Sequence, residues 1–347
     1  MGLADWDPSF AREARGRRFP GVRGRLHGAA QVAAMAVLVA ACGLAASPPT
    51  APSPSIPSSP SAAAASPTLA PAFPMTLTDD EGTSVTIPAA PERIVSLTPG
   101  STEILFALGI GDRVDATDSA SDYPAAAVPL PHVAAFGTVD AEKVVGLKAD
   151  LVIAGGNGYT PPDSVSRLRS LGIPVLVVYA TTVAGVSADV ELIGKAVGRA
   201  AEGTELAARL RADLAALAAA SGSLSKPRTF YEVDATREIY GPADHSFLAE
   251  MIGLAGGTPV TSGSPGNFEI ALERLIAADP EVIILGDAAF GTTADAVAKR
   301  PGWAVMTAVR KGAVRVADDK LITRPGPRLA QGLRSLILAI HPEAALP

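Results

Sequence analysis

The chain is poor in the residues that most often carry chemistry. Its 347 residues include one cysteine, four histidines and two tryptophans, and only 5% are aromatic. A single cysteine excludes an internal disulfide, so the position of the thiol must say what it is for. The histidines, His27, His132, His245 and His341, are scattered. They do not form the converging ligand set that a dedicated zinc or manganese receptor needs, and no resident metal or cofactor is expected. The net charge is -6 with no basic stripe, which removes nucleic acid as a partner. No apolar run reaches the ~20 residues of a spanning helix, although 48% of residues are hydrophobic. Nor is there a G-x-G-x-x-G after the first strand, a phosphate loop ending in Gly-Lys-Ser/Thr, or a G-x-S-x-G elbow. The motifs of a catalyst are therefore missing, and the chain is expected not to be an enzyme.

What is present begins with an address. Residues 1–41 comprise an arginine-rich start, an uncharged stretch AAQVAAMAVLVAA, and small residues running into Cys42. This is the order of a signal peptide: basic region, short apolar region, cleavage site. Leu38-Val39-Ala40-Ala41-Cys42-Gly43 resembles the lipobox of bacterial lipoproteins. That resemblance implies that Cys42 receives a diacylglycerol and becomes the mature N-terminus. Acyl chains contribute ~0.8 kcal/mol per buried methylene, so lipid alone can anchor a soluble domain to a membrane surface. Residues 42–74 are then almost entirely Ala, Pro, Ser and Thr. Such a composition cannot bury enough apolar area to offset chain entropy and predicts an extended tether.

The remainder is long enough for two domains, and an internal repeat supports that division. The run from Glu142 to Gly155 (EKVVGLKADLVIAG) aligns without a gap on the run from Glu273 to Gly286 (ERLIAADPEVIILG). Each copy predicts a short helix with an inward aliphatic pair, a turn, and a wholly apolar strand suited to a sheet covered on both faces. Further strands are expected at Arg93–Leu97, Pro174–Tyr179 and Arg228–Val233. Ser101 is expected to cap a helix that starts near Glu103 and stops at Gly109. The fold class is thus α/β, with two Rossmann-like lobes of mostly parallel strands, at 75–182 and 223–347. Between them, residues 183–222 predict a helical linker. No proline falls between Ser187 and Ala220, and Leu206, Leu210, Leu214 and Leu217 recur on one helical face. A helix of about five turns as the sole crossing would limit lobe closure to small angles.

Several short stretches, spread over residues 76–340, together resemble one family. They are Pro91-Glu92-Arg93-Ile94-Val95-Ser96-Leu97 with Thr102-Glu103, Ser121-Asp122-Tyr123-Pro124, Leu147-Lys148-Ala149-Asp150-Leu151-Val152, Leu254-Ala255-Gly256-Gly257 and Arg324-Pro325-Gly326-Pro327-Arg328. The family is that of the bacterial substrate-binding proteins for cobalamin, haem and ferric siderophores, whose lobes are joined by a rigid helix. The resemblance implies an extracytoplasmic, monomeric receptor for an ATP-driven importer. It also implies that one glutamate on each lobe, here Glu142 and Glu273, docks onto arginines of the permease, which works with its ATPase subunits.

Ligands of open α/β layers sit beyond the carboxyl ends of the strands. In the loops there, Ser101, Tyr123, Phe136, Tyr159, Tyr240 and Phe268 could contact a macrocycle or catecholate. Arg324 and Arg328 could meet carboxylates or phosphate. The Arg-Pro-Gly-Pro-Arg and Ser-Asp-Tyr-Pro stretches are most similar to cobalamin-type members. The expected ligand is therefore a cobalt corrinoid first, then a ferric siderophore, then haem. The tryptophans that often line a corrinoid pocket are not matched, since Trp6 precedes the signal and Trp303 is expected in a surface loop. A cleft enzyme and a structural lipoprotein or adhesin are the readings of another class.

Overall fold

The computed structural model describes residues 73–347, apart from 136 and 157. Cys42, the signal sequence and nearly all of the tether lie outside the described residues. The described chain opens with an antiparallel hairpin of β1 (Met75–Thr78) and β2 (Ser84–Ile87), in which Met75 faces Ile87. A six-stranded sheet follows. Its strands are β3 (Ile94–Ser96), β4 (Val114–Asp118), β5 (His132–Ala135), β6 (Thr138–Val139), β7 (Leu151–Ala154) and β8 (Val175–Val177). They lie in the order β6-β5-β4-β3-β7-β8, and all neighbours are parallel except β5 and β6. The second lobe has an all-parallel sheet of β9 (Arg228–Glu232), β10 (Thr258–Pro259), β11 (Val282–Leu285) and β12 (Val314–Val316), ordered β10-β9-β11-β12.

Residue choice explains the two-sided sheets. β7 and β11 are apolar and buried at all four positions. Because successive side chains point to opposite faces, each strand feeds two cores. Leu151 and Ile153 join Ile94 and Leu176 on one face, and Val152 and Ala154 join Val95, Val175 and Val177 on the other. In the second lobe Tyr231, Val282 and Ile284 face one core, while Phe230, Ile283 and Leu285 face the other. Each such aliphatic side chain contributes ~1.5–3 kcal/mol when fully buried.

The repeat is structural as well as sequential. β4-β3-β7-β8 and β10-β9-β11-β12 share one strand order. The copies begin on helices Ala141–Gly146 and Leu272–Ala278, and each reaches its strand through a left-handed residue, Lys148 (φ 56°) or Asp279 (φ 42°). Arg93 Nε donates to the Leu147 carbonyl at 2.7 Å, and Arg228 Nε to the Ala278 carbonyl at 3.0 Å. Of each aliphatic pair, only the first member, Val144 or Leu275, is fully buried, and Val145 is exposed. Adjacent residues on a helix point about 100° apart, so both members of a pair cannot face the sheet.

The bridge departs from the single helix that the sequence suggests. Helix Gly185–Ala196 ends at Gly198, which has φ 75°, and a second helix, Ala200–Ser221, follows. The second has 22 residues, six turns rather than five, and spans ~33 Å. Its buried stripe is Gly203, Ala207, Leu210, Leu214, Leu217 and Ser221. Ala207 belongs to the core of the first lobe, whereas Leu210, Leu214 and Leu217 pack with Met251 and Ile337 in the second. The preceding helix mirrors this: Val186 lies in the second lobe's core, and Val190, Ile193 and Ala196 in the first's. Two packed helices, not one, thus share their apolar faces between both cores.

Trp303 is another departure. It is only 3% exposed, in the core with Phe230 and Leu275, and the Arg300 guanidinium sits 4.6 Å from its ring centroid. The short helical turn Trp303–Val305 turns the indole inward beneath the sheet.

Candidate functional site

Strand ends position the site. After β3 the chain turns into helix Pro99–Ala107, with Pro99 in its first turn. Its N-cap is Thr98, whose Oγ1 accepts from the Ser101 amide at 3.2 Å. The cap expected at Ser101 is therefore three residues earlier, because proline's fixed φ suits the first helical turn. Ser101 is buried, and its Oγ accepts from Thr98 Oγ1 at 2.9 Å.

At the end of β4, Asp118 is almost fully buried and is surrounded by donors. Tyr159 Oη donates to it at 3.1 Å, as does Ser121 Oγ. Ser121 also exchanges a 2.9 Å hydrogen bond with Thr102 Oγ1. Burial, then the charge of Asp118 and the hydrogen bond to it, push the Tyr159 hydroxyl well above the usual tyrosine range, so it remains a donor. In the second lobe Tyr231, at the end of β9, donates to Asp319 Oδ1 at 2.8 Å. Burial raises the Asp319 carboxyl despite that bond.

The loop Arg324–Arg328 joins the two sets across the lobes. Arg328 grips the buried Glu103 through two hydrogen bonds, Nε to Oε2 at 2.8 Å and a terminal nitrogen to Oε1 at 2.5 Å. Its guanidinium lies 3.8 Å from the Tyr123 ring centroid. Arg324 donates to Asp122 Oδ1 at 2.6 Å and to the Ala120 carbonyl at 3.1 Å, and Lys320 also pairs with Asp122. Burial alone would raise the Asp122 carboxyl, but the hydrogen bonds and charges of Arg324 and Lys320 outweigh it and hold the pKa down at about 2. The backbones touch as well: a Cβ on Gly100 would lie 2.4 Å from the Pro325 carbonyl oxygen. Only glycine allows this approach.

Of the residues that the sequence singles out, Tyr123, Tyr159, Arg324 and Arg328 thus belong to one polar network, and Ser101 lies beside it in the first turn behind Thr98. Tyr240 and Phe268 sit together elsewhere on the second lobe, where Tyr240 bridges Asp234 and Glu269, and the Phe268 carbonyl accepts from Gly241 at 2.9 Å. Phe136 lies outside the described residues. The sequence reading names none of Glu103, Asp118, Asp122 and Lys320 as site residues, although the strand-end loop Asp118–Tyr123 holds two of them. Glu103 and Asp122 carry a sequence signal, since they stand inside the Thr-Glu and Ser-Asp-Tyr-Pro stretches. Among the described residues no group of three or more His, Cys, Asp or Glu could hold a metal ion, and no helix is long and apolar enough to cross a membrane.

Comparison with known proteins agrees with this architecture. The chain is 33% identical over 276 residues to an uncharacterized ABC transporter substrate-binding lipoprotein of Bacillus subtilis (strain 168), covering 78% of this chain and 87% of the relative. The crystal structure of a periplasmic vitamin B12 binding protein of Vibrio cholerae superposes with a TM-score of 0.64 at 28% identity, covering 72% of this chain and 97% of that one. A periplasmic heme-binding protein from Roseiflexus sp. RS-1 in apo form gives a TM-score of 0.66 at 28% identity, covering 73% and 99%. The Periplasmic binding protein family profile matches residues 94–321, which include both sheets and the helices between them. The chain therefore belongs to the periplasmic binding protein family, a family of binding proteins and not of enzymes.

Proposed function

We propose that this chain is the solute receptor of an ATP-driven importer, anchored through Cys42 on the extracytoplasmic face. In this reading it captures a cobalt corrinoid between its lobes and delivers it to a membrane permease. The observation that carries the reading is the matched pair of lobes with strand ends meeting across the Arg324–Arg328 loop. Such an interlobe cleft is where a receptor of this architecture holds its solute. The Bacillus subtilis relative, named as an ABC transporter substrate-binding lipoprotein, supports the importer role and the lipid anchor. The Vibrio cholerae structure, of a vitamin B12 binding protein, supports the corrinoid. Haem is the second reading, favoured by the similarity to the Roseiflexus protein.

Tyr123 and Tyr159 at the network would supply flat contacts to a macrocycle. The test is a binding titration of the purified protein against cyanocobalamin, haemin and several ferric siderophores, followed by absorbance and calorimetry. Saturable one-to-one binding of cyanocobalamin at submicromolar affinity is expected. Preference for haemin or a ferric chelate would keep the receptor and change its solute, and no binding to any of them would overturn the reading.

A further inference from the structure

Arg324, Arg328 and Lys320 are the cationic groups of the cleft network, and each is already paired with a carboxylate. Arg328 gives two donors to Glu103, whose side chain is 2% exposed. Arg324 gives its donors to Asp122 and the Ala120 carbonyl and lies 3.7 Å from Glu103 Oε1. Lys320 is paired with Asp122 as well. The fork of Arg328 on Glu103 and the pairing of Arg324 with Asp122 set a carboxylate against each guanidinium and offset the charge that would draw in another anion. Further carboxylates lie by the same cations: Asp318 and Asp319 stand beside the Arg324–Arg328 loop, where Asp319 interacts with Arg324 and Asp318 with Arg328. The cations are therefore fewer than the acids around them.

We propose that Glu103 and Asp122 set the charge selectivity of the receptor: by neutralising Arg328 and Arg324 they turn away strongly anionic chelates and favour ligands that are neutral or cationic overall. This rests on the receptor reading above and narrows it. An anionic ligand entering this network meets guanidiniums already paired with carboxylates, the buried Glu103 on Arg328 and the exposed Asp122 on Arg324, and it then lies close to those like charges. Juxtaposed like charges suppress wrong partners, and specificity is built from such repulsive elements as well as from attractive contacts. A neutral corrinoid or a cationic ferric hydroxamate does not incur that repulsion. The two carboxylates thus act through the arginines, as specificity-determining and not as contact residues.

Four probes test this: cyanocobalamin, a cationic ferric trihydroxamate, haemin with its two propionates, and a trianionic ferric tricatecholate. Each is titrated against the parent protein, against Asp122→Asn, and against Glu103→Gln/Asp122→Asn, with thermal unfolding recorded alongside. The readout is the ratio of affinities for anionic and uncharged probes, which partial misfolding does not change. The parent is expected to bind cyanocobalamin or the cationic chelate over the tricatecholate. The double variant should shift the ratio toward the tricatecholate by about tenfold or more, with Asp122→Asn intermediate. A parent that prefers the tricatecholate, or a ratio unchanged in the double variant, overturns the proposal and leaves the receptor reading standing. Absence of binding by every protein to every probe overturns both.

Discussion

Asp189, on helix Gly185–Ala196, shares a carboxyl–carboxyl hydrogen bond with Asp80, in the turn of the β1–β2 hairpin. Two acids can meet in this way only if one keeps its proton. Burial, then the charge of Asp80 and the bond to it, push the Asp189 pKa up to about 8. Asp80 is also raised by burial, against the 2.6 Å hydrogen bond that the Tyr179 amide donates to it. Between the unfolded aspartate value of ~3.9 and about 8, folding therefore takes up a proton at this pair. The sign follows: this contribution is greatest at the acid end of the window and is lost as pH rises through the folded pKa. Urea unfolding from pH 5 to 8 should show a fall of up to ~1.4 kcal/mol per pH unit from this group. Asp189→Asn should flatten that slope and be the more stable protein at pH 8. Equal slopes in parent and variant would show that the proton is not shared here.

Arg300 closes on Glu232 in the same forked manner as Arg328 on Glu103, at 2.6 and 2.8 Å, but within one lobe. Glu232 is completely buried at the end of β9. Burial raises its pKa, opposed by the hydrogen bonds and charge of Arg300. Removing the guanidinium by Arg300→Ala strands a carboxylate and uncovers Trp303, and should cost ~3–5 kcal/mol. Replacing both partners, as Arg300→Met with Glu232→Leu, should recover most of that loss, because the isolated charge is gone. A double-mutant cycle in urea measures it, and an Arg300→Ala variant within 1 kcal/mol of the parent would mean that water reaches Glu232.

The two bridging helices touch at glycines. A Cβ on Gly194 would lie 2.9 Å from Gly203 Cα and 2.9 Å from the Arg199 carbonyl oxygen. Gly194→Val should therefore separate the helices that both cores share, costing ~1–3 kcal/mol by overpacking. Gly253 provides the contrast, since nothing lies within 4 Å of its Cβ position on helix Phe247–Leu254. There, Gly253→Ala should stabilise the protein by ~0.5–1 kcal/mol through helix propensity. Thermal unfolding of both variants should move the midpoint in opposite directions.

Local patterns explain what was legible in the sequence. The apolar strands β7 and β11 and the repeat that contains them depend on short runs of residue type, which periodicity reports directly. Gly198 interrupts the proline-free stretch between the lobes, and its left-handed φ marks a helix end that the leucine spacing concealed. The burial of Trp303 is not legible in the sequence, because burial of one aromatic depends on what folds over it, here Arg300. The pair Glu103–Arg328 joins residues 225 apart. No local pattern encodes such a contact. It exists only once both sheets point their strand ends at each other, which is why the arginines could be named as site residues and their partners could not.

Glu142 and Glu273 occupy equivalent places in the two copies of the repeat, each in the first turn of its helix. Glu142 is 90% exposed and stands 3.8 Å from Arg167, a surface pair that adds little to stability. Glu273 is exposed on the rim of a 440 Å³ hollow that also holds Arg237, Glu238 and Trp303. Two matched carboxylates on two matched lobes suit a partner with two matched cationic patches. Exposed charges of this kind mainly steer and register a complex. Reversing both, Glu142→Lys with Glu273→Lys, should abolish solute uptake by whole cells while ligand affinity and thermal stability stay at parent values. Either single reversal should give intermediate uptake, as equal docking by the two lobes would require. Residual docking of the singles should also weaken with salt, since the surviving contact is electrostatic and screened over ~8–10 Å. A drop in ligand affinity in the double variant would instead place these carboxylates at the pocket, and full uptake would remove them from the docking surface.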